Sequence, residues 1–328
     1  GPDGIIFVGD QKGAAVFAID TADEKGKAAG VSLNVAGVTG QVAKALNVSA
    51  KDVTVNDLAV NPATGRTFLA VTKGSGSDAS PALVKVDTTG TFSEVSLNDI
   101  GFSKVALPNA PADKAIPSRR GPRNSRNDAI TDLAYVDGRV IVSGLAASNE
   151  GRMGSTIREI DFPFVEADQG SRIEIFHGAH GRSEDHSAIR TFVPFNINGE
   201  PTLLAGYVCT PLVKFPLSSL KAGKKTVGTT VAELGNRNRP LDMIVYEKDG
   251  KDFLLLANSA RGVMKISTED IATNEGLSNK VSGTAGQTYD TIASLQGVVQ
   301  LDKLNPTTAI VLIQTESGAM QLKSVELP

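Results

Sequence analysis

Residues 240–268 read PLDMIVYEKDGKDFLLLANSARGVMKIST, and the spacing of apolar residues in this stretch decides the fold. The apolar runs are short, and polar turn residues separate them at 247–252 and again at 258–262. An Asp-Gly pair between two apolar runs, here Asp249 and Gly250, is a typical signal for a tight hairpin turn. The stretch therefore predicts three consecutive antiparallel strands.

The same pattern recurs along the chain. Further copies of the apolar strand, small polar turn and second strand occupy 3–21, 65–88, 138–162, 200–217 and 307–325. All copies except the first follow another strand that ends in a tight turn containing Asn or Asp. A single unit of this kind cannot bury both of its faces, so the repeat predicts an all-β chain built as a β-propeller. Six blades fit the number of copies, with seven as the alternative.

On these repeats the sequence resembles six-bladed β-propellers and, more closely, a group of exported bacterial propellers. The resemblance covers nearly the whole chain, so residues 1–328 are expected to form one propeller domain. The first blade is expected to lack its innermost strand. The stretch TGQVAKALNVSAKD, with Val42, Ala45 and Leu46 at helical spacing, predicts a short helical insertion near residues 40–50.

Composition excludes several classes of protein. No apolar run is long enough to span a bilayer, and a net charge of −3 gives no general attraction for nucleic acid or anionic membranes. The absence of Trp and an aromatic content of 5% argue against a carbohydrate-stacking platform. The single cysteine, Cys209, excludes an internal disulfide. Abundant Thr, Ser, Gly and Asn favour an exported protein, so we expect a periplasmic or secreted location.

All three histidines lie in the stretch HGAHGRSEDH, residues 177–186. This stretch links the outer strand of the third blade to the inner strand of the fourth, so we expect it to reach the channel mouth. His177, His180 and His186, with Glu184, offer donors that suit zinc, copper or iron. Cys209 lies in the next blade's turn on the same predicted face, where a thiolate would favour zinc or copper.

Interpretations of these residues that involve no metal site stay open. Histidines that are close in sequence need not converge in space, and the spacing matches no recognised zinc signature. Without a metal, a histidine paired with Glu184 would still suit acid–base chemistry. Cys209 alone is more often a buried small apolar residue than a ligand.

Loops on the same predicted face carry most of the arginines, whose donor forks suit carboxylate or phosphate groups. Arg190, Arg237, Arg239 and Arg261 are the candidates for binding a small anionic ligand or an acidic protein partner. The alternative is that these loops are merely solvated, above all the segment with Arg119, Arg120, Arg123 and Arg126. The remaining arginines assigned to this face are Arg152 and Arg182.

Three aspartates, Asp57, Asp132 and Asp242, recur near the starts of the predicted inner strands. A ring of carboxylates there would suit a calcium ion in the channel. Each aspartate would equally well accept hydrogen bonds from a neighbouring blade's backbone.

The leading hypothesis is an exported propeller that binds a transition metal through its histidine cluster and presents an arginine-rich face to a small anionic ligand. If the protein is an enzyme, metal-dependent hydrolysis or redox chemistry fits this site best. The competing hypotheses are a non-catalytic protein-interaction scaffold and a metal-independent hydrolase or lyase that uses histidine–carboxylate pairs.

Overall fold

The computed structural model describes residues 1–118, 121–148, 150–209 and 211–328. Strands make up most of its regular structure. In chain order they are β1 (Ile5–Asp10), β2 (Ala15–Asp20), β3 (Asn34–Ala36), β4 (Val53–Val60), β5 (Thr67–Lys73), β6 (Ser80–Val86), β7 (Phe92–Glu94), β8 (Phe102–Ala106), β9 (Ala115–Ile116), β10 (Arg123–Asn124), β11 (Asp132–Val136), β12 (Arg139–Ala147), β13 (Met153–Asp161), β14 (Ser171–His177), β15 (Arg182–Glu184), β16 (Ile189–Ile197), β17 (Glu200–Tyr207), β18 (Pro211–Pro216), β19 (Lys225–Val227), β20 (Thr229–Leu234), β21 (Pro240–Lys248), β22 (Lys251–Asn258), β23 (Gly262–Ser267), β24 (Thr284–Gly286), β25 (Tyr289–Thr291), β26 (Val298–Asn305), β27 (Thr308–Gln314) and β28 (Met320–Glu326).

Helical structure is sparse. The α-helix α1 spans Val38–Ala45 and lies between β3 and β4, which confirms the predicted insertion. Short 3-10 helices occupy Ala50–Asp52, Gly76–Asp78, Ser125–Asp128, Leu217–Ser219 and Ala293–Leu295. Within the described ranges, no helix combines the length and apolarity that crossing a membrane requires.

Six sheets are arranged as the blades of a β-propeller, which confirms the predicted fold class and the choice of six blades. Each blade is named here after the innermost strand that it contains; the β1 blade has three strands where the others have at least four, and β1 matches their second strands, as expected. From the inside outward, the blades are β1-β2-β8, β4-β5-β6-β7, β11-β12-β13-β14, β16-β17-β18-β20-β24, β21-β22-β23-β25 and β26-β27-β28-β3. The strand β15 extends the β11 blade as a hairpin with β14, and β19 pairs with β14 in parallel.

The order of the blades around the ring differs from their order in the sequence. The inner strands β11, β16, β21, β26 and β4 contact one another in that succession, and β1 contacts β11. The β4 blade therefore follows the β26 blade, and the three-stranded β1 blade occupies the place beside β11. The outermost strand of the β26 blade is β3, so an early segment of the chain, residues 34–36, completes the blade that contains the last strand, β28.

The β21 blade shows why these sequences form blades. Asp249 and Gly250 both adopt positive φ, which produces the tight turn between β21 and β22. Leu254, Leu255 and Leu256 of β22 are all fully buried although consecutive strand residues point to opposite faces. Leu254 and Leu256 pack toward the β16 blade and Leu255 toward the β26 blade, so each sheet is buried on both faces.

Candidate metal site

The pairing of β14 with β15 brings two of the predicted ligands together. In this antiparallel hairpin Ile175 lies opposite Glu184, so both side chains project from the same face of the sheet. His177 lies two residues beyond Ile175 and therefore shares that face, diagonally adjacent to Glu184. The same alternation buries Ile173, Ile175 and His177 together.

The turn that joins β14 to β15 adds His180. The backbone N–H groups of His180 and Gly181 donate to the His177 carbonyl at 3.1 and 2.8 Å, which folds the turn back over the hairpin. Gly181 has φ +67, and an added Cβ there would lie 2.9 Å from the Lys280 side chain. Only glycine fits this position without strain.

Glu184 binds both imidazoles. His180 Nδ1 lies 2.7 Å from Glu184 Oε1, and His177 Nδ1 lies 3.1 Å from Glu184 Oε2. Arg182 Nε and the Ser187 hydroxyl also donate to the carboxylate, at 3.3 and 2.9 Å. One potential ligand atom from each of His177, His180 and Glu184 lies within 4.8 Å of the others. We call these three residues the histidine cluster.

The histidine cluster lies between the outer strands of two adjacent blades. The Thr230 hydroxyl of the β16 blade donates to the Phe176 carbonyl at 2.6 Å, and the Val281 N–H donates to the Gly178 carbonyl at 2.9 Å. The His177 and Glu184 side chains are only 4% and 3% exposed, whereas His180 is 47% exposed. Solvent therefore reaches the group from the His180 side. We expected the histidine stretch to reach the channel mouth. These contacts instead place the cluster at the outer strands, away from the inner strands that line the channel.

Glu233 is a neighbour that the sequence analysis missed. It lies on β20, is fully buried, and accepts the Ala179 N–H through Oε1 at 3.2 Å. Its Oε2 and the Nε2 of His177 are buried without a hydrogen-bond partner in the described part of the chain. A lone glutamate inside the apolar run from Val231 to Leu234 was the available signal, because an unpaired buried carboxylate is costly.

The two buried glutamates titrate in opposite directions. Burial alone would raise the pKa of Glu184, but hydrogen bonds from His180, His177 and Ser187 outweigh it and hold the pKa at about 2. Burial raises the pKa of Glu233 to about 7, against the N–H groups of Ala179 and Gly178. Burial also lowers the pKa of His177, partly offset by its bond to Glu184. Hydrogen-bond donors stabilise the charged form of Glu184 more than that of Glu233, so the pKa values of the two carboxyl groups lie far apart.

The other two proposed ligands lie apart from the histidine cluster. The His186 side chain is 59% exposed, and its Nδ1 lies 3.6 Å from Asp185 Oδ1. Cys209 occupies the β17–β18 turn with φ +63, and its N–H donates to the Asn238 carbonyl at 2.9 Å. Neither residue belongs to the group of mutually close donors that the described residues contain.

The proposed ligand-binding arginines differ from one another. Arg190 Nη1 donates to Asp128 Oδ1 at 2.7 Å, and its Nε is buried without a partner among described atoms. Arg239 is exposed at the start of β21, and Arg237 is exposed with φ +58. The Arg261 guanidinium packs over the turn at Gly235, with a 3.4 Å bond to the Asn236 carbonyl. Arg119 and Arg120 lie outside the described residues.

The channel aspartates bind neighbouring backbones. Asp132 Oδ2 accepts the Phe192 N–H of the next blade at 2.7 Å, and Asp242 Oδ2 accepts the Leu301 N–H at 2.8 Å. Asp57 accepts the N–H of Leu58 at 2.8 Å. Among the described residues these carboxylates do not form a group of mutually close donors. The backbone role accounts for their positions, and calcium in the channel stays a prediction.

Asp302, which the sequence analysis also missed, repeats this arrangement by accepting the Val60 N–H at 2.7 Å. Enclosure by protein is the largest cause that raises the pKa values of all these carboxyls, and repulsion by neighbouring carboxylates adds to it at Asp57, Asp132 and Asp242. The pKa of Asp132 is raised to about 7, those of Asp57 and Asp302 to about 6, and that of Asp242 well above its ordinary value.

Comparison with protein-family models gives no match, and no curated protein matches the sequence significantly. The fold is nevertheless similar to solved propeller structures of family-43 glycoside hydrolases. A thermostable family-43 glycoside hydrolase has a TM-score of 0.43 at 8% identity, over 84% of this chain and 90% of that one. An α-L-arabinofuranosidase from Lactobacillus brevis has a TM-score of 0.41 at 10% identity, over 83% and 90%. A GH43 enzyme from Xanthomonas citri complexed with xylotriose has a TM-score of 0.41 at 10% identity, over 92% and 91%. At these scores the likeness carries no argument about activity.

Proposed function

We propose that this protein is an exported β-propeller that binds a transition metal ion, zinc, copper or iron, through the histidine cluster. The observation that carries the proposal is the convergence of donor atoms from His177, His180 and Glu184 within 4.8 Å of one another. Two imidazoles and one carboxylate form a donor set that favours these metals over calcium or magnesium, which prefer oxygen ligands.

The surroundings of the cluster also support metal binding. His177 Nε2 is buried without a hydrogen-bond partner among described atoms, so no donor competes with a metal ion for this nitrogen. Glu184 contacts both Nδ1 atoms and would act either as a ligand or as the acceptor that orients both rings. Acceptors of this kind are usual around metal-bound histidines. The half-exposed His180 leaves a path from solvent to the ion.

The direct test is metal content. Protein purified without chelator would be analysed by inductively coupled plasma mass spectrometry, with an expected value near one ion per chain. His180→Ala should lose the ion. His186→Ala is the matched control, because His186 lies in the same loop but is 59% exposed and outside the cluster. A wild type without stoichiometric metal, both as purified and after incubation with zinc, copper(II) or iron(II), would contradict the proposal.

Metal binding by a Glu184 variant distinguishes the two roles proposed for this residue, a metal ligand or an acceptor that orients the histidine rings. Replacement of an acceptor that orients a metal-bound histidine typically weakens binding by about 10- to 100-fold. Glu184→Gln should stay within that range if the carboxylate only orients the rings. A larger loss indicates that the carboxylate is itself a ligand.

A second candidate function is metal-independent hydrolase or lyase chemistry. The observation that favours it is the 2.7 Å contact between Glu184 and the half-exposed His180, the geometry of an oriented general acid or base. Activity that survives exhaustive chelation but is lost in His180→Ala would support this alternative over metal-dependent hydrolysis or oxidation.

The arginine-bearing end of the channel forms the other half of the proposal, as a surface for a small anionic ligand. An acidic protein partner on a non-catalytic scaffold is the competing interpretation of the same surface. Export rests on composition alone, and fractionation of the source cells for the periplasmic or secreted protein tests it.

A further inference from the structure

Two arginines contact Asp128, and a third lies nearby, where three adjacent inner strands begin. Asp128 ends the 3-10 helix Ser125–Asp128 that precedes β11, and Arg190 is the second residue of β16. Arg239 directly precedes β21. The strands β11, β16 and β21 are consecutive around the ring, so these groups share one end of the channel.

The charges in this group do not balance. Arg190 Nη1 and Arg123 Nη2 bind the two oxygens of Asp128 at 2.7 and 3.2 Å, so both oxygens already have a cationic partner. Arg239 has no ion pair among the described residues. With Arg239 at the start of the next strand, three arginines accompany one aspartate at this end of the channel, an excess of two positive charges among these four groups.

Arg190 has a buried donor that is not used, and the backbone that carries Arg239 is fixed. Arg190 is 17% exposed, and its buried Nε has no hydrogen-bond partner in the described part of the chain. The Arg239 backbone exchanges hydrogen bonds with Ser259, its N–H with the hydroxyl and its carbonyl with the N–H, both at 2.9 Å. Partial enclosure by protein, and then repulsion by Arg190, lowers the pKa of Arg239, although Asp128 attracts it. An anion would relieve that repulsion.

We propose that Arg123, Arg190 and Arg239, arranged around Asp128, bind a small molecule that carries a carboxylate or phosphate group. The inference rests on the anionic-ligand half of the proposed function and is independent of the metal. It also changes the residues expected from sequence: Arg123 joins the site, whereas Arg261 is engaged with the Gly235 turn. The shared chemistry of the ligand is an oxyanion matched to guanidinium forks.

Isothermal titration calorimetry on chelator-treated protein at low ionic strength tests the proposal. Inorganic phosphate and succinate serve as separate probes, and the stronger binder identifies the ligand class. We expect saturable one-site binding that Arg239→Gln weakens by about tenfold or more, the loss of a charge-assisted contact. Arg172→Gln is the matched control, because Arg172 is exposed on β14, the outer part of the β11 blade and away from its inner strand, and should leave affinity within about twofold.

Two results would overturn the inference: no saturable binding of either probe, or equal weakening in Arg239→Gln and Arg172→Gln. The second result would indicate only the general field of surface charges. Arg190→Gln is a further variant whose fold is checked by circular dichroism, since its pair with Asp128 links two blades. Because the protein is free of metal, failure of the metal proposal leaves this result unaffected, and failure here leaves metal content unaffected.

Discussion

The histidine cluster and the channel aspartates place carboxyl groups in opposite environments. Glu184 is 3% exposed, yet its pKa falls to about 2 because imidazole and hydroxyl donors converge on it. Asp132 accepts backbone N–H bonds, yet its pKa rises to about 7 because enclosure, and to a lesser extent the Asp57 carboxylate, oppose its charge. Burial raises the pKa of both carboxyl groups; converging side-chain donors outweigh it at Glu184, whereas the backbone bonds at Asp132 do not.

The largest expected effect follows from removing the acceptor at the centre of the histidine cluster. In metal-free protein, Glu184→Gln leaves an amide that offers one acceptor oxygen where the carboxylate bound both rings, Arg182 and Ser187. Loss of buried hydrogen bonds to a charged group should lower the free energy of unfolding by about 3 kcal/mol, measured by urea denaturation. A loss below about 1 kcal/mol would show that the histidines do not depend on this carboxylate.

A smaller loss is expected in the channel. Asp132→Ala leaves the N–H groups of Leu133 and Phe192 without their acceptor, and the second of these bonds joins two blades. Unpaired buried N–H groups are costly, but relief of repulsion with Asp57 offsets part of that cost. We expect a loss of about 2 kcal/mol by urea denaturation, less than for Glu184→Gln. Equal losses in the two variants would remove the distinction between the two regions.

The architecture was accessible from sequence because strands and turns leave local signals. Asp249 and Gly250 specify a turn with two positive φ values, and the repeated apolar runs specify sheets buried on both faces. The ring order was not accessible in this way. The placement of the β1 blade beside β11, after an excursion through β3 and the β4 blade, depends on contacts between distant segments.

The candidate site could be predicted from the sequence only in part, because it too depends on contacts between distant segments. Clustering in sequence pointed to His177, His180 and Glu184, and the hairpin register brought them together. His186 has the same residue type in the same loop, but it follows the end of β15 and its side chain is exposed. Glu233 reaches the turn from another blade, so spacing within the loop carried no information about it.

The pH dependence of stability should sharpen the contrast further. An aspartate whose pKa is raised from its ordinary value to about 7 binds more protons in the folded than in the unfolded state between the two values. The free energy of unfolding must therefore fall as pH rises through that window, by linkage. Asp132 is only half-buried, so solvent screening reduces the effect, and wild type should lose about 1 kcal/mol more than Asp132→Asn between about pH 4.5 and 7.

Urea denaturation of both proteins across that range measures this difference. Asp132→Asn is the suitable partner because Glu233, whose pKa is also raised, is present in both proteins and cancels. Parallel stability profiles for the two proteins would mean that Asp132 keeps an ordinary pKa in the folded state.

The smallest effect is expected for a surface carboxylate that lies neither among the donors of the histidine cluster nor in the enclosed channel. Glu94 is 43% exposed and lies 3.4 Å from Lys73, a surface pair at the outer edge of the β4 blade. Solvent screens such pairs, so Glu94→Gln should change the free energy of unfolding by less than about 0.5 kcal/mol. This variant supplies the baseline for the series, because it removes the same charge as Glu184→Gln without removing converging donors. If it costs as much as Asp132→Ala, then the loss of charge itself, rather than its local partners, controls stability, and the contrast between cluster and channel has no energetic basis.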